Sequence, residues 1–373
     1  MSGIPRADFV HDWPSSRVVF GHGQVAAVPS EVARLGARRV QLICDPAAST
    51  AADRVVESLG AALVVDRIDE VVMHVPSPVA REAARRATET AADLVVCIGG
   101  GSATGLAKGV AKFAGLPVLA IPTTYAGSEM TSVYGLTDGG KKVTGRLEGV
   151  RPRTVVYDPD LTVGLPLELS VTSGLNAVAH CVEALYAPAP SPMAQAAAGE
   201  GIRALATALD VLTLSADDPG GRGLALRGAW LAGWVLNVSE MGLHHRLCHV
   251  LGGLLDLPHS PLHAVVLPYV TAFTAPVAPA AMRLLVSALP GAGDDPADAG
   301  GAVWDLSTRL GAPTSLAELG VGEEDLDRAI TAAVDSVGGR PPVHPRGSTA
   351  ATLRALITAA WTGERPPPGL GPP

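Results

Sequence analysis

The feature that most limits how this chain can fold is an alternation in its first 165 residues, where short β-branched runs take turns with Ala-rich amphipathic stretches. RVVF at 17–20 precedes a helical pattern near 24–36, and RRVQLIC at 38–44 precedes one near 48–59. LVV at 63–65 and DLVVCIG at 93–99 are each followed by another, near 78–90 and 102–114, before PVLAIP at 117–122. Strand and helix in turn predict a parallel sheet with helices on its faces, a Rossmann-like α/β domain. From residue 166 the strands stop. Ala/Leu-rich segments follow at 166–187, 191–213, 221–237, 240–254, 261–290 and 298–310, with shorter ones near 322–337 and 348–362. The reading is therefore an α/β domain over 1–165 and an all-α domain over 166–373, divided after the extended VVYDPDL. The GAGDDPADAG stretch at 291–300 reads as a surface loop, and the ERPPPGLGPP tail as frayed.

Charge narrows the partners. Lys and Arg number 28 against 36 Asp and Glu, a net charge of −8, so no basic field exists to hold a nucleic-acid backbone. The N-terminal stretch has no apolar run behind a basic segment, and no run of 18 apolar residues occurs, so the expectation is a cytoplasmic protein without a membrane span. Cys44, Cys97, Cys181 and Cys248 lack CxxC spacing and sit among apolar neighbours, which reads as buried reduced thiols.

Three loops carry chemistry at strand ends. LVVCIG runs into Gly99, Gly100, Gly101 and Ser102 and then into a helix through Lys108. Glycines let a backbone approach a pyrophosphate, and the helix start offers free N–H groups and a positive dipole end. Lys108 is expected to give long-range electrostatic support at best. Gly21, His22 and Gly23 follow the first strand, and Asp45 ends the second. Two readings of Asp45 stay open: an acceptor for a ribose 2'-hydroxyl that repels a 2'-phosphate, or a cap before Pro46. The third loop, PTTYAGSE, offers Thr123, Thr124 and Ser128 as donors to phosphate or a carboxamide, although an ordinary loop would use the same residues. All three loops would lie along one edge of one sheet, where α/β folds take nucleotides.

Six of the ten histidines fall between residues 180 and 263. Asn176 and His180 are four apart on one predicted helix, as are His245 and His249 on another, and His259 lies on a loop after Pro258. The spacing can bring His180, His245 and His259 to a common point with His249 one turn above. His244 and Arg246 are expected to turn away from that face, Arg246 to solvent or an interface. Lys141, Lys142 and Arg146 read as a solvated hairpin turn.

The pattern Asn176-x3-His180, His245-x3-His249-x9-His259 behind a GGGS loop resembles the iron-containing (group III) alcohol dehydrogenase superfamily over nearly the whole chain. That resemblance implies a dehydroquinate synthase-like fold and a homodimer. In metal-dependent members an Asp and three His hold the metal, and the matching positions here are Asn176, His180, His245 and His259. A neutral carboxamide replaces the carboxylate, so metal is expected to be absent, with zinc on three histidines as the alternative. Its maleylacetate reductase branch carries the same departure. Segments that look like that branch are MHVP (73–76), GGGSATGLAKG (99–109) with Gly105 in place of an acid, PTTYAGSEMTSVYGLTDGGKKVTGR (122–146), SGLNAVAHCVEALYA (173–187) and GLHHRLCHVLGGLLDLPHSPLHAVVLP (242–268).

This likeness implies reduction of a dianionic small molecule, maleylacetate or a substituted analogue, by NADH or NADPH; the choice of NADH rests on Asp45 and not on the likeness. His249 and His245 would serve as electrophile and proton donor, His180 and His259 would help hold carboxylates, and Asn176 would bond a carboxylate or orient His180. The cofactor would lie on Gly99, Gly100, Gly101 and Ser102, with Thr123, Thr124 and Ser128 beside it. Competing expectations are a metal-dependent dehydrogenase of small alcohols or aldehydes, a relative recruited to another enone, and a cofactor-binding protein without catalysis.

Overall fold

The computed structural model describes residues 9, 11–12, 16–73, 75–139, 141–337, 344, 346 and 348–371, the side chains of 141 and 142 apart. They fall into two compact units. One comprises the described residues of Pro14–Ser170 with Leu214–Asn237, the other those of Met1–Trp13, Val171–Thr213 and Val238–Pro373.

The first unit holds β1 (Arg17–Phe20), β2 (Val40–Cys44), β3 (Val64–Ile68), β4 (Leu94–Gly99), β5 (Val118–Pro122), the hairpin strands β6 (Val133–Asp138) and β7 (Lys141–Arg146), and β8 (Thr154–Tyr157). Six of them form one sheet in the order β1-β8-β5-β4-β2-β3, every neighbouring pair parallel. β8, expected only as an extended stretch, is a full strand between β5 and β1. Its neighbours explain the composition: β2, β4, β5 and β8 are buried along their whole lengths, and a strand covered on both faces must be apolar throughout. The helices α1 (Val28–Arg34) and α2 (Ser49–Leu59) bring Val28, Val32, Ala52 and Val55 to the face lined by Leu42, Val96, Ile98 and Leu119. Removing a side chain such as Leu42 from this layer costs about 2–5 kcal/mol.

On α3 (Ser77–Glu89) and α4 (Gly101–Ala114) small residues allow a close approach. A Cβ on Gly109 would stand 2.7 Å from Ala80 Cβ, and one on Gly105 would stand 2.9 Å from Val75 Cγ2. Gly105 therefore has a packing reason of its own. The strand order also locates the ligand edge. From β2 the chain goes to β3 on one side and to β4 on the other, so the order reverses between the carboxyl ends of β2 and β4, where open α/β sheets leave a crevice.

The second unit is helical. It comprises α5 (Leu167–Tyr186) from Val171 onward and α6 (Pro192–Leu214), then, after α7 (Pro219–Val238), the helices α8 (Leu243–Leu255), α9 (His259–Thr274), α10 (Pro279–Ala288), α11 (Ala299–Arg309), α12 (Leu326–Val337) and α13 (Ala350–Thr362). Its core joins α8, α9, α12 and α13 through Leu247, Leu251, Val266, Tyr269, Ile330 and Leu356. The expected division at 165/166 differs from this arrangement in three ways: the units part at Ser170/Val171, inside α5, α7 groups with the sheet, and the described residues before Pro14 group with the helices.

Arg222 gives the reason for the second difference. This fully buried α7 side chain donates to Tyr125 Oη (3.1 Å), Ser170 Oγ (2.8 Å) and the carbonyls of Leu165 (2.9 Å) and Ala216 (2.8 Å). A buried guanidinium needs such acceptors for its donors, and the sheet unit supplies them. Helical sequence alone does not say which core a helix serves.

All four cysteines are buried and unpaired. Among the described residues no helix is long and apolar enough to cross a membrane.

Candidate active site

In the sheet unit the three glycine- and hydroxyl-bearing loops converge at the carboxyl ends of β2, β4 and β5. Gly99 adopts φ +149°, and a Cβ there would stand 2.6 Å from Asp45 Cβ and 2.8 Å from Ala103 Cβ, so only glycine fits. A Cβ on Gly100 would press on Thr124 Cγ2 at 3.0 Å. The Thr123 amide donates to Gly99 O and the Asp45 amide to Ile98 O, which fixes the three loops side by side. No side chain caps the start of α4 at Gly100, leaving its first-turn N–H groups for an anion. Of the two roles left open above the cap is present: the Asp45 carboxylate receives the Ala47 amide at 3.4 Å, at the β2 end beside the glycine loop.

Lys108 is not the distant charge expected from sequence. It is fully buried, and its Nζ donates to Ser128 O (2.5 Å), Ser128 Oγ (3.2 Å), Thr131 Oγ1 (2.9 Å) and Val133 O (2.8 Å). Burial pushes its pKa down to about 7. Nearby, Tyr157 donates to the buried Glu129 at 2.7 Å, and burial raises the Glu129 carboxyl. The loop after β5 thus rests on a buried polar layer. Arg146, expected in a solvated turn, instead donates to the carbonyls of Asn237 (2.8 Å) and Leu236 (3.3 Å) at the end of α7. The side chains of Lys141 and Lys142 lie outside the described set.

In the helical unit α5, α8 and the start of α9 assemble the histidines. His180 and His245 stack with ring centroids 4.9 Å apart. His245 also meets His263 at 4.9 Å and His249 at 6.4 Å, and His259 meets His263 at 4.4 Å and His249 at 6.4 Å. His259 is the first residue of α9 and not a loop residue. The expected meeting of His180, His245 and His259 at one point does not hold as drawn. The three histidines whose ligating atoms all lie within 4.8 Å of one another are His244, His245 and His263. His244, expected to face away, is fully buried, and its Nε2 shares a 2.9 Å hydrogen bond with His263 Nδ1. Arg246 reaches Ser336 O at 3.4 Å.

Burial sets the charge of this cluster. Desolvation, reinforced by neighbouring imidazoles, holds His180 and His263 well below the usual histidine range and pushes His244 down to about 3. These three are neutral near pH 7. His180 can give and accept hydrogen bonds but is no cationic clamp for a carboxylate. His249 and His259 are exposed. Asn176 Oδ1, His180 Nδ1, His244 Nδ1, His245 Nε2 and His263 Nε2 are buried without a protein partner, a concentration of unmet polar atoms that marks a ligand site.

Sequence reading passed over Glu183. It sits on α5 seven residues after Asn176 and three after His180, and its fully buried carboxylate lies 2.6 Å from His245 Nδ1. It also accepts from the amides of Gly242 (2.9 Å) and His244 (2.8 Å) and from Tyr186 Oη (3.1 Å). Its signal in the sequence is its place on the helix face of Asn176 and His180, at the end of the stretch NAVAHCVE.

A parallel sheet with phosphate-type loops at its switch point, continued by a helical unit built around histidines, defines an oxidoreductase with the dehydroquinate synthase-like fold. A family model described as iron-containing alcohol dehydrogenase matches residues 14–159, and one for the C-terminal part of the same family matches 170–361. The chain belongs to the iron-containing alcohol dehydrogenase family. It is 46% identical over 350 residues to a maleylacetate reductase of Burkholderia cepacia, covering 94% of this chain and 97% of that one. A maleylacetate reductase of Pseudomonas knackmussii is 46% identical over 360 residues, with 96% and 99% covered. The crystal structure of maleylacetate reductase from Agrobacterium tumefaciens superposes with a TM-score of 0.90 at 42% identity, over 96% of this chain and 99% of that one. Within the family the chain lies in the maleylacetate reductase branch, and its reductant class is a nicotinamide cofactor.

The family's name implies iron, and the donor set here does not fit it. The position of the acidic ligand is the carboxamide of Asn176, and Glu183, the acid nearest His245, spends its oxygens on two amides, a phenol and His245 Nδ1. His259 packs on His249 and His263, and its ring nitrogens do not form one group within 4.8 Å with those of His180 and His245. The His244–His263 hydrogen bond engages a nitrogen of each ring. Iron(II) sites of this kind draw on a carboxylate, and the metal-ligand group found among the described residues consists of histidines alone.

Proposed function

We propose that this protein reduces the carbon–carbon double bond of maleylacetate, or a substituted analogue, to give 3-oxoadipate or its analogue, with NADH as the reductant and no metal. The observation that carries the reading is Asn176. A buried carboxamide whose oxygen has no protein partner stands among neutral imidazoles at the position where metal-dependent relatives place an acid. A site for a dianion gains from losing that negative charge.

The nicotinamide, bound at the switch-point loops, supplies hydride. Gly99, Gly100 and Gly101 let the backbone approach the pyrophosphate, Ser102 and the uncapped α4 start offer donors to it, and Thr123, Thr124 and Ser128 orient the remainder. Asp45 accepts from a ribose 2'-hydroxyl and repels a 2'-phosphate, which favours NADH. Hydride adds to the alkene carbon β to the ketone, and charge develops on the ketone oxygen. With its Nδ1 on the Glu183 carboxylate, His245 gives that oxygen a second ring proton, carried on Nε2, and His249, at the exposed side of the cluster, supplies the proton that the α carbon takes up. Atoms balance as enone plus hydride plus one proton. Asn176 and His180 bond a substrate carboxylate in neutral form, and His259 flanks it.

The test is NADH oxidation with fresh maleylacetate after exhaustive chelation, with metal content measured on the same sample. Rapid turnover at negligible metal content is expected. Turnover that appears only on adding zinc or iron would replace this reading with a metal-dependent dehydrogenase.

A further inference from the structure

Four hydrogen-bond donors converge on Glu183, and they do two separate jobs. Gly242 is the N-cap residue of α8 and brings no side-chain cap of its own. The capping oxygens come from another helix: Glu183 Oε2 receives the Gly242 amide and Oε1 the His244 amide. A negative carboxylate at a helix start is favourably placed, so one α5 side chain fixes where α8 begins and therefore where His244 and His245 stand. The same Oε2 lies 2.6 Å from His245 Nδ1. Tyr186 Oη completes the acceptor capacity at 3.1 Å from Oε1.

From this arrangement we infer that Glu183 is the positioning residue of the reaction: it keeps the His245 proton on Nδ1 and leaves Nε2 as the reacting nitrogen. A carboxylate held by two backbone amides cannot donate to an imidazole, only accept from it. His245 must then carry its ring proton on Nδ1 in the neutral state, and any proton passed to substrate travels through Nε2. That nitrogen is buried and has no protein partner, as a group reserved for a ligand would be. Burial by itself would raise the Glu183 carboxyl, but the His245 hydrogen bond and the charges and amides around it hold it down at about 2. Tyr186 donates to Oε1, not to the Oε2 that faces His245, so the phenol supports the carboxylate and not the ring.

The inference rests on the role proposed above for His245, and the experiment keeps the two apart. In the full-length protein, Glu183→Gln and Glu183→Asp are compared with His245→Asn, reading kcat and KM for maleylacetate, NADH binding by fluorescence, and the His245 tautomer by 15N NMR. A carboxamide keeps the shape but offers one oxygen and turns an N–H toward His245. For Glu183→Gln the expected result is a kcat lowered about 10- to 100-fold, the range typical of groups that orient a working histidine. KM and NADH binding change little, and His245 moves to the Nε2–H tautomer. Glu183→Asp, which restores the charge, recovers part of the kcat. Wild-type kcat in Glu183→Gln overturns the inference, as does a lowered kcat with the tautomer unchanged, which would leave a purely structural role. Wild-type turnover in His245→Asn overturns the assignment of His245 itself. Should no variant, nor the parent, turn over maleylacetate, the tautomer still decides the Glu183 relationship.

Discussion

The buried ammonium of Lys108 donates to both the carbonyl and the hydroxyl of Ser128, tying the second turn of α4 to the loop that follows β5. The two residues are 20 apart in sequence, and their contact fastens the helix that follows the glycine loop to the threonine loop.

Lys108→Met should therefore damage cofactor binding and stability together. It takes a buried donor from oxygens of Ser128, Thr131 and Val133, a loss that the Thr131 bonds to Ser128 O offset only in part, and a buried group left unpaired costs roughly 1–3 kcal/mol. The expected outcome is a Tm lowered by several degrees and a raised KM for NADH, with the KM for maleylacetate nearly unchanged. Calorimetry and steady-state kinetics check it, and an unaltered KM for NADH would show that the loop does not need its strut.

Stability should fall as the solution is acidified, and earlier than carboxylates alone would bring about. Burial pushes His244 down to about 3 and His344 to about 4, with His180 and His263 also lowered. Between the ordinary imidazole value of 6.5 and those native values the unfolded chain binds protons that the native one does not. Stability is then full above pH 6.5 and is lost as pH falls, by roughly 1 kcal/mol per group per pH unit. Glu183 adds a second loss of the same sign between 4.5 and about 2. Scanning calorimetry from pH 7.5 to 4.5 should show Tm declining from near pH 6.5, and a flat Tm down to pH 5 would contradict this account.

Coenzyme choice should turn on Asp45. Removing a negative charge about 4 Å from a 2'-phosphate relieves roughly 1–4 kcal/mol, depending on solvent exposure. Asp45→Ser should raise kcat/KM for NADPH relative to NADH by about tenfold or more, at 1.4 kcal/mol per factor of ten. If the ratio does not move, Asp45 is only the cap that its bond to Ala47 already makes it.

Restoring the acid at position 176 should harm the reductase. Asn176→Asp places a carboxylate in a 4% exposed position among neutral imidazoles, against a dianionic substrate. The same Coulomb estimate gives a KM for maleylacetate raised about tenfold or more. A variant with unchanged KM would mean that no substrate carboxylate comes near this residue.

Much of this molecule was legible in its residues. The β-branched runs of β2, β4 and β5 had to be strands covered on both faces, and Gly99 had to end one, because only glycine accepts its φ beside Asp45 and Ala103. The spacing of Asn176 and His180, and of His245 and His249, placed each pair on one helix face, since α-helical periodicity is a local property.

Relations between elements distant in sequence were another matter. Local pattern made α7 helical but could not assign it to the sheet, because that depends on Arg222 finding Tyr125, Ser170 and Leu165 as acceptors. Nor could spacing show that His259 turns to His263 and His249, or that His244 and His263 share a proton between α8 and α9. Lys108 and Glu183 look in sequence like surface charges. Only the packed interior, by removing water and supplying four partners to each, makes one a strut and the other the anchor of a histidine.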